Sequence, residues 1–200
     1  PNTGGMGCII DRNNTLPYLT DEDIKECEKI NSMVIKYLSG IDPEKMGYRG
    51  ILYGSYMKTN DGIKIIEYNC RFGDPECIVA LELLNTNFFT ICIQIAHRDL
   101  SIKLDFSQDA CLCVYMVPKG YAEYSIKDNK FDIYFSNNDI LESNNIFYSN
   151  IEKNNKHIYS LSSRTMAIIK RNVNLYSCYH KLYNFIKNIN GNLFYRKDIC

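Results

Sequence analysis

Apolar residues recur along this chain in two rhythms, one helical and one strand-like, and the alternation between them sets the expected organisation. Residues 20 to 39 carry the helical rhythm: Ile24, Cys27, Ile30, Val34 and Leu38 trace one side, Thr20 and Asp23 have capping-box spacing, and Gly40 closes the run. Two strand-like runs follow, Tyr48 to Thr59 and Ile63 to Cys70. Asn60-Asp61-Gly62 between them is a hairpin signal, because these residues tolerate positive φ. Arg71-Phe-Gly-Asp-Pro-Glu76 then reads as a turn into a helix, with Asp74 as N-cap, Pro75 at the first helical position and Glu76 complementing the dipole. That helix is expected to reach Leu84. A second apolar helix spans Phe88 to His97, where His97 offsets the C-terminal dipole.

From about Ser101 the texture changes to short strand-like runs, Ala110 to Val117, Phe131 to Phe135, Lys156 to Leu161 and Arg164 to Lys170, separated by Asn-rich loops such as Ser136 to Asn145. An amphipathic helix follows, with Leu175, Cys178, Tyr179, Leu182, Ile186 and Ile189 on one side, then Gly191 as its C-cap and a last strand from Asn192 to Ile199. The pattern predicts an α+β chain in two parts. Residues 1–100 hold an antiparallel sheet with packed helices, and residues 101–200 hold a small mixed α/β domain.

Composition narrows the function classes. With 46% apolar residues the chain can build a core, and 23 basic side chains balance 23 acidic ones, which leaves no whole-chain footprint for nucleic acid or an anionic membrane. Nine cysteines, an odd number at irregular spacing and often inside apolar runs, point to free thiols in a reducing, cytoplasmic compartment. No zinc-ligand spacing emerges from them and the three scattered histidines. The N-terminus lacks the basic and apolar regions of a signal peptide, and no apolar stretch approaches the ~20 residues a membrane helix needs. It opens on a glycine-rich loop, Pro1-Asn-Thr-Gly-Gly-Met-Gly7, rather than on methionine, so a fragment is expected.

Side chains alternate along an extended strand, so Glu67, Asn69 and Arg71 share one face while Ile66, Tyr68 and Cys70 form an apolar back. A carboxylate, an amide oxygen and a guanidinium together suit a site where Mg²⁺ bridges protein oxygens and nucleotide phosphates, since magnesium takes only one or two protein ligands. Glu-x-Asn-x-Arg alone is more often a solvated edge strand. The hairpin before it and the helix entry after it favour the site, because a helix start brings free N–H groups. The opening glycine loop is open to two readings, a plain turn or a backbone cradle for an anion. Cys8 reads as a packed thiol, and Tyr53 and Tyr56 as packing residues.

The run Lys64-Ile-Ile-Glu-Tyr-Asn-Cys-Arg-Phe-Gly-Asp-Pro-Glu76 resembles the metal-binding signature of the glycinamide ribonucleotide synthetases, and Pro1-Asn-Thr-Gly-Gly-Met-Gly7 resembles a second motif of that family. Tyr48-Arg-Gly-Ile-Leu-Tyr-Gly54, Gly120-Tyr121 and Phe194-Tyr-Arg-Lys-Asp-Ile199 extend the likeness over nearly the whole chain. The resemblance implies the C-terminal half of an ATP-grasp domain followed by the ligase's small C-terminal domain. It implies Glu67 and Asn69 as Mg²⁺ or Mn²⁺ ligands, Arg71 and Asp74 at the glycine and phosphoryl subsite, and Asn2, Thr3, Gly4, Gly5 and Gly7 as substrate-binding residues. The implied reaction uses ATP to phosphorylate glycine, after which the amine of 5-phosphoribosylamine attacks the acyl phosphate. Charge neutralisation serves such phosphoryl chemistry more than a protein nucleophile does.

Four positions depart from the family pattern. Ser162-Ser163-Arg164 stands where Gly-Gly-Arg is usual, Ala122 where Pro follows Gly-Tyr, and Cys200 where Gly follows Asp-Ile. If either serine replaces a glycine at positive φ, about 1–3 kcal/mol of strain is expected. The phosphate-holding lysines and the adenine hinge belong to the missing N-terminal part of the same enzyme, so the 200 residues alone are expected to be inactive. Two alternatives remain: a carboxylase-type ATP-grasp enzyme, which lacks Arg-Phe-Gly-Asp-Pro-Glu after the metal strand, and a non-catalytic remnant or interaction module that keeps the fold.

Overall fold

The computed structural model describes residues 3, 5–40, 47–123, 130–136, 140, 143–154 and 157–200. In chain order the elements are β1 (Gly7–Ile10), α1 (Asp21–Gly40), β2 (Tyr53–Thr59), β3 (Gly62–Asn69), α2 (Glu76–Leu83), α3 (Phe88–His97) and β4 (Ala110–Pro118). After these come β5 (Phe131–Phe135), β6 (Ile146–Tyr148), β7 (Ile151–Asn154), β8 (His157–Ser160), β9 (Met166–Asn172), α4 (Leu175–Ile186), β10 (Ile189–Gly191) and β11 (Leu193–Phe194). They divide into two units interleaved along the chain. Unit 1 comprises Pro1–Asn14, Asp74–Leu83 and Ser107–Cys200, and unit 2 comprises Thr15–Gly73 and Leu84–Phe106.

Unit 1 is built around β4, all of whose residues are buried. One sheet runs β1-β4-β9-β6 with β11 also on β4, and a second runs β10-β5-β8-β7. α4 packs on β4 and β9, while α2 packs on β1, β4 and β9. Cover on both faces explains why β4 reads as an unbroken apolar run rather than as an alternating one. Leu112, Val114 and Met116 join Cys178, Leu182 and Ile186 of α4 in one core cluster, and Cys111, Cys113 and Tyr115 point the other way by alternation. Each Leu-sized side chain buried there contributes about 1.5–3 kcal/mol of hydrophobic stabilisation.

Tertiary pairing corrects the sequence reading in several places. Helix α4 stops at Ile186, and Ile189 and Gly191 pair instead with Phe135 and Ile133 across β10 and β5, so Gly191 is a strand residue and not a C-cap. The expected last strand shrinks to β11, and the strand expected from Arg164 starts at Met166, leaving Arg164 in the preceding turn. Strands β1, β6 and β7 carry only three or four residues each, too short to show a period, and were not expected. Lys156, the expected start of β8, lies outside the described residues.

In unit 2 the capping box of α1 forms as its spacing predicts: Thr20 N–H donates to Asp23 Oδ2 at 2.8 Å and Asp23 N–H to Thr20 Oγ1 at 3.3 Å. The predicted apolar side, Ile24, Cys27, Ile30, Val34 and Leu38, is the half-buried side of α1. That helix meets the β2–β3 hairpin through Asn31, whose Oδ1 accepts from Tyr56 (2.6 Å) and Tyr68 (3.0 Å). Tyr56 is therefore a packing residue, as its strand position suggested. A bulge interrupts the hairpin, because Ser55 pairs with Glu67 and Tyr56 with Ile65, leaving Ile66 as the extra residue. The expected apolar back is thus buried only in part: Tyr68 is half-buried against α1, whereas Ile66 is 55% exposed and Cys70 is exposed as well, with Ile65 beside them at 49%. On α3 the Asn87 side chain caps the N-terminus by accepting from Thr90 N–H, and Arg98 closes the C-terminus at φ +62°.

The serines in place of the family's glycines carry no left-handed strain, since neither Ser162 nor Ser163 has a positive φ. The conditional penalty is corrected to none. Strain sits at Ala122 instead, with φ +67°, where the proline suggested by the resemblance is excluded because its ring holds φ near −65°. Replacing Ala122 by Gly should raise stability by about 1 kcal/mol and replacing it by Pro should lower it, as read by urea unfolding. A second outcome concerns acid. Lys58 lies 2.5 Å from Asp23 and, by hydrogen bonding, holds that carboxyl below its ordinary range. The resulting stabilisation is present above the ordinary carboxylate range and fades as pH falls through the depressed value. A Lys58→Met chain should therefore show a flatter acid limb than wild type when circular dichroism is followed from pH 5 to 2.

Candidate functional site

The two units each carry part of the residue set singled out in the sequence. Glu67, Asn69 and Arg71 belong to unit 2, and Thr3, Gly5, Gly7 and Asp74 to unit 1. Asn2 and Gly4 lie outside the described residues.

On the hairpin, Tyr68 turns toward α1, so strand alternation directs Glu67 and Asn69 away from that helix. Their side chains meet: Asn69 Nδ2 donates to Glu67 Oε1 at 2.8 Å. This bond uses the amide nitrogen and one carboxylate oxygen, which leaves Asn69 Oδ1 and Glu67 Oε2 as hard oxygen donors at the hairpin end. Such a pair fits magnesium or manganese, which accept few protein ligands and complete their shell with water and phosphate. Among the described residues no group of three or more His, Cys, Asp and Glu gathers into a cage. Arg71 lies past the end of β3, and its Nη1 donates to Phe72 O at 2.7 Å. The structure thus joins Glu67 to Asn69 but does not extend the strand face to Arg71.

Asp74 corrects a second expectation. Its carboxylate does not cap α2; Oδ1 accepts from the Tyr115 hydroxyl at 2.9 Å and Oδ2 from Arg164 Nη2 at 2.6 Å. A side chain drawn into an ion pair is unavailable to the helix N–H groups, and Pro75 O instead accepts from Ile78 N–H at 2.9 Å. Arg164 Nη1 donates in addition to Gly5 O (3.0 Å) and Asp74 O (3.1 Å), and its guanidinium carbon stands 4.6 Å from the Tyr115 ring centre. Burial, and then the neighbouring carboxylate, push the Tyr115 phenol upward, so it stays a donor. Gly5 is at φ +72°, and a Cβ there would collide with the Arg164 guanidinium and lie 3.0 Å from Asp74 O. Gly7 opens β1 opposite Val114, and Thr3 is half-buried.

Arg164 and Tyr115 were missed in the sequence. In the sequence Arg164 reads only as the start of a strand next to the two serines, and Tyr115 sits inside a run that reads as pure core. Cys8 stands across from Cys113, whose thiol is the main cause, ahead of burial, of an upward shift that keeps Cys8 protonated and unfit as a nucleophile.

The described architecture is that of an ATP-grasp ligase in its mixed α/β A and C parts. It superposes with a TM-score of 0.78, at 24% identity, on the crystal structure of phosphoribosylamine–glycine ligase from Thermotoga maritima, covering 100% of this chain and 47% of that one. Residues 1–77 match the phosphoribosylglycinamide synthetase ATP-grasp (A) domain, and residues 111–200 match the C domain of the same synthetase. Phosphoribosylamine–glycine ligases of Methanosarcina barkeri and Methanococcus maripaludis are 36% and 37% identical over all of this chain. The chain belongs to the phosphoribosylglycinamide synthetase family. It spans 45% and 44% of the length of those two relatives.

Gly5→Ala should destabilise unit 1 by more than Gly62→Ala destabilises unit 2. Gly62 is at φ +90° with open space around its missing Cβ, so its change costs only backbone strain, about 1 kcal/mol. Gly5→Ala adds displacement of Arg164. Denaturant unfolding of both variants checks the order, and equal losses would show that the guanidinium exerts no steric demand at Gly5.

Proposed function

We propose that this chain supplies part of an ATP-dependent ligase that joins glycine to 5-phosphoribosylamine in de novo purine synthesis, giving glycinamide ribonucleotide, ADP and phosphate. The observation that carries the reading is the oxygen pair of Glu67 and Asn69 on a hairpin of this family, inside an unbroken Lys64–Glu76 signature. Glu67 and Asn69 would hold Mg²⁺ or Mn²⁺, which when bound neutralises charge on the nucleotide phosphates. The residues of the chain itself position and balance charge: Arg71 offers a guanidinium on an exposed turn, and Asp74 orders the turn that opens α2. The substrates are small molecules, with ATP as co-substrate.

In this reading the glycine carboxylate takes the γ-phosphoryl group, releasing ADP, and the amine of 5-phosphoribosylamine then attacks the carbonyl carbon and expels phosphate. Neither step needs a covalent protein intermediate, which suits a chain whose nine cysteines are all free thiols and whose Cys8 is held protonated. Reduced thiols fit a cytoplasmic enzyme, and among the described residues no helix is long and apolar enough to cross a membrane. The alternative of a non-catalytic remnant loses one motive, because the serines at 162 and 163 are unstrained.

The test uses the full-length protein. Glu67→Ala should lower kcat at least about 100-fold and weaken magnesium-nucleotide affinity measured by calorimetry, while leaving the melting temperature near wild type. Full turnover by the alanine variant removes Glu67 from the site. A wild-type protein that binds magnesium-nucleotide without ligating glycine favours the remnant.

A further inference from the structure

Three oxygens converge on one guanidinium in unit 1. The carbonyl of Gly5, the carbonyl of Asp74 and the carboxylate of Asp74 all accept from Arg164, at 3.0, 3.1 and 2.6 Å. Without a cation these acceptors repel one another, since none can donate to the next. Tyr115 satisfies the far carboxylate oxygen and floors the guanidinium with its ring. The arginine is also held from behind: Arg164 O accepts from Asn150 N–H at 3.0 Å, and Thr165 N–H donates to Met116 O at 2.9 Å. Beneath the turn the buried hydroxyls of Ser160 and Thr165 lie 2.6 Å apart. The main chain on both sides of the arginine is thus fixed, and its planar fork loses less entropy per hydrogen bond than a flexible ammonium would.

The partners come from different modules. Gly5 and Asp74 lie in the stretch matched to the ATP-grasp domain, Tyr115 and Arg164 in the stretch matched to the C domain. We propose that Arg164 is a positioning residue of the ligase: it ties the glycine-rich loop and the Asp74 turn into one arrangement, so that the C domain sets the geometry of substrate-binding backbone. This rests on the ligase reading above. A lysine can replace the charge but not the fork that serves both carbonyls and the carboxylate, so Arg164→Lys restores the arrangement only in part.

Steady-state ligation by the full-length protein, with glycine and ATP varied in turn, is measured together with amide hydrogen exchange for wild type, R164Q, R164K and Y115F. R164Q should raise KM for glycine about tenfold or more while KM for ATP moves less than about twofold, misplacement of substrate-binding backbone being the cause. Exchange should quicken in peptides covering residues 5–7 and 73–77 and stay unchanged in β4 and β9. R164K should recover part of the glycine KM, and Y115F should move both readings in the same direction by less. If R164Q fails to fold, Y115F, which keeps the ring and removes one bond to Asp74, decides by the same two readings. Wild-type ligation with an indistinguishable R164Q and Y115F overturns the inference and leaves the ligase reading standing, as does a loss confined to global stability. A wild type that does not ligate overturns the ligase reading and the inference with it.

Discussion

Burial of β4 on both faces is the constraint from which the rest of unit 1 follows. A strand with no solvent side must receive cover from two directions, and here α4 supplies one and α2 the other. α2 is preceded immediately by the Asp74 turn, so the helix that covers the strand also brings Asp74 to Tyr115, a β4 residue on the same side. β1 pairs along β4 from Gly7 to Ile10, and Met6 O just before it accepts from Tyr115 N–H, which fixes the backbone next to Gly5. The polar cluster of Gly5, Asp74, Tyr115 and Arg164 is thus placed by apolar packing, and its hydrogen bonds then decide its finer geometry.

The family modules and the compact units divide the chain at different places. The ATP-grasp match ends at residue 77 and the C-domain match starts at 111, yet the first fourteen residues and the Asp74–Leu83 segment pack with the C-terminal part. Sequence similarity follows inherited segments, whereas packing follows whichever strand edge is open. Unit 2, with its hairpin and two helices, holds the Glu67–Asn69 pair on its own element.

Much of this was legible in the sequence because it is local. The helices around Ile24–Leu38 and Phe88–His97, the Asn60-Asp61-Gly62 turn and the approach of Glu67 to Asn69 follow from periods and turn chemistry within a few residues. What was illegible is non-local. Ile189 continues the helical period of α4 but is captured by β5, and Asp74 has every local sign of a helix cap but is drawn to Arg164, ninety residues on. The bulge at Ile66, which leaves two isoleucines in solvent, depends on how β2 registers with β3. Only the Arg164 partner of the family's Gly-Gly-Arg pattern offered a signal for the clamp, and it was overshadowed by the serines beside it.

The interleaved architecture has a consequence for biosynthesis. β1 leaves the ribosome long before the strand it pairs with, whereas the hairpin and α1 need only neighbours already made. Loop-closure entropy therefore falls on β1 and not on the hairpin. A nascent chain halted before Arg164 would present a formed hairpin, while the carbonyls of Gly5 and Asp74 would have no cation to gather them. The arrangement around Gly5 is thus completed only once Arg164, late in these 200 residues, has been translated.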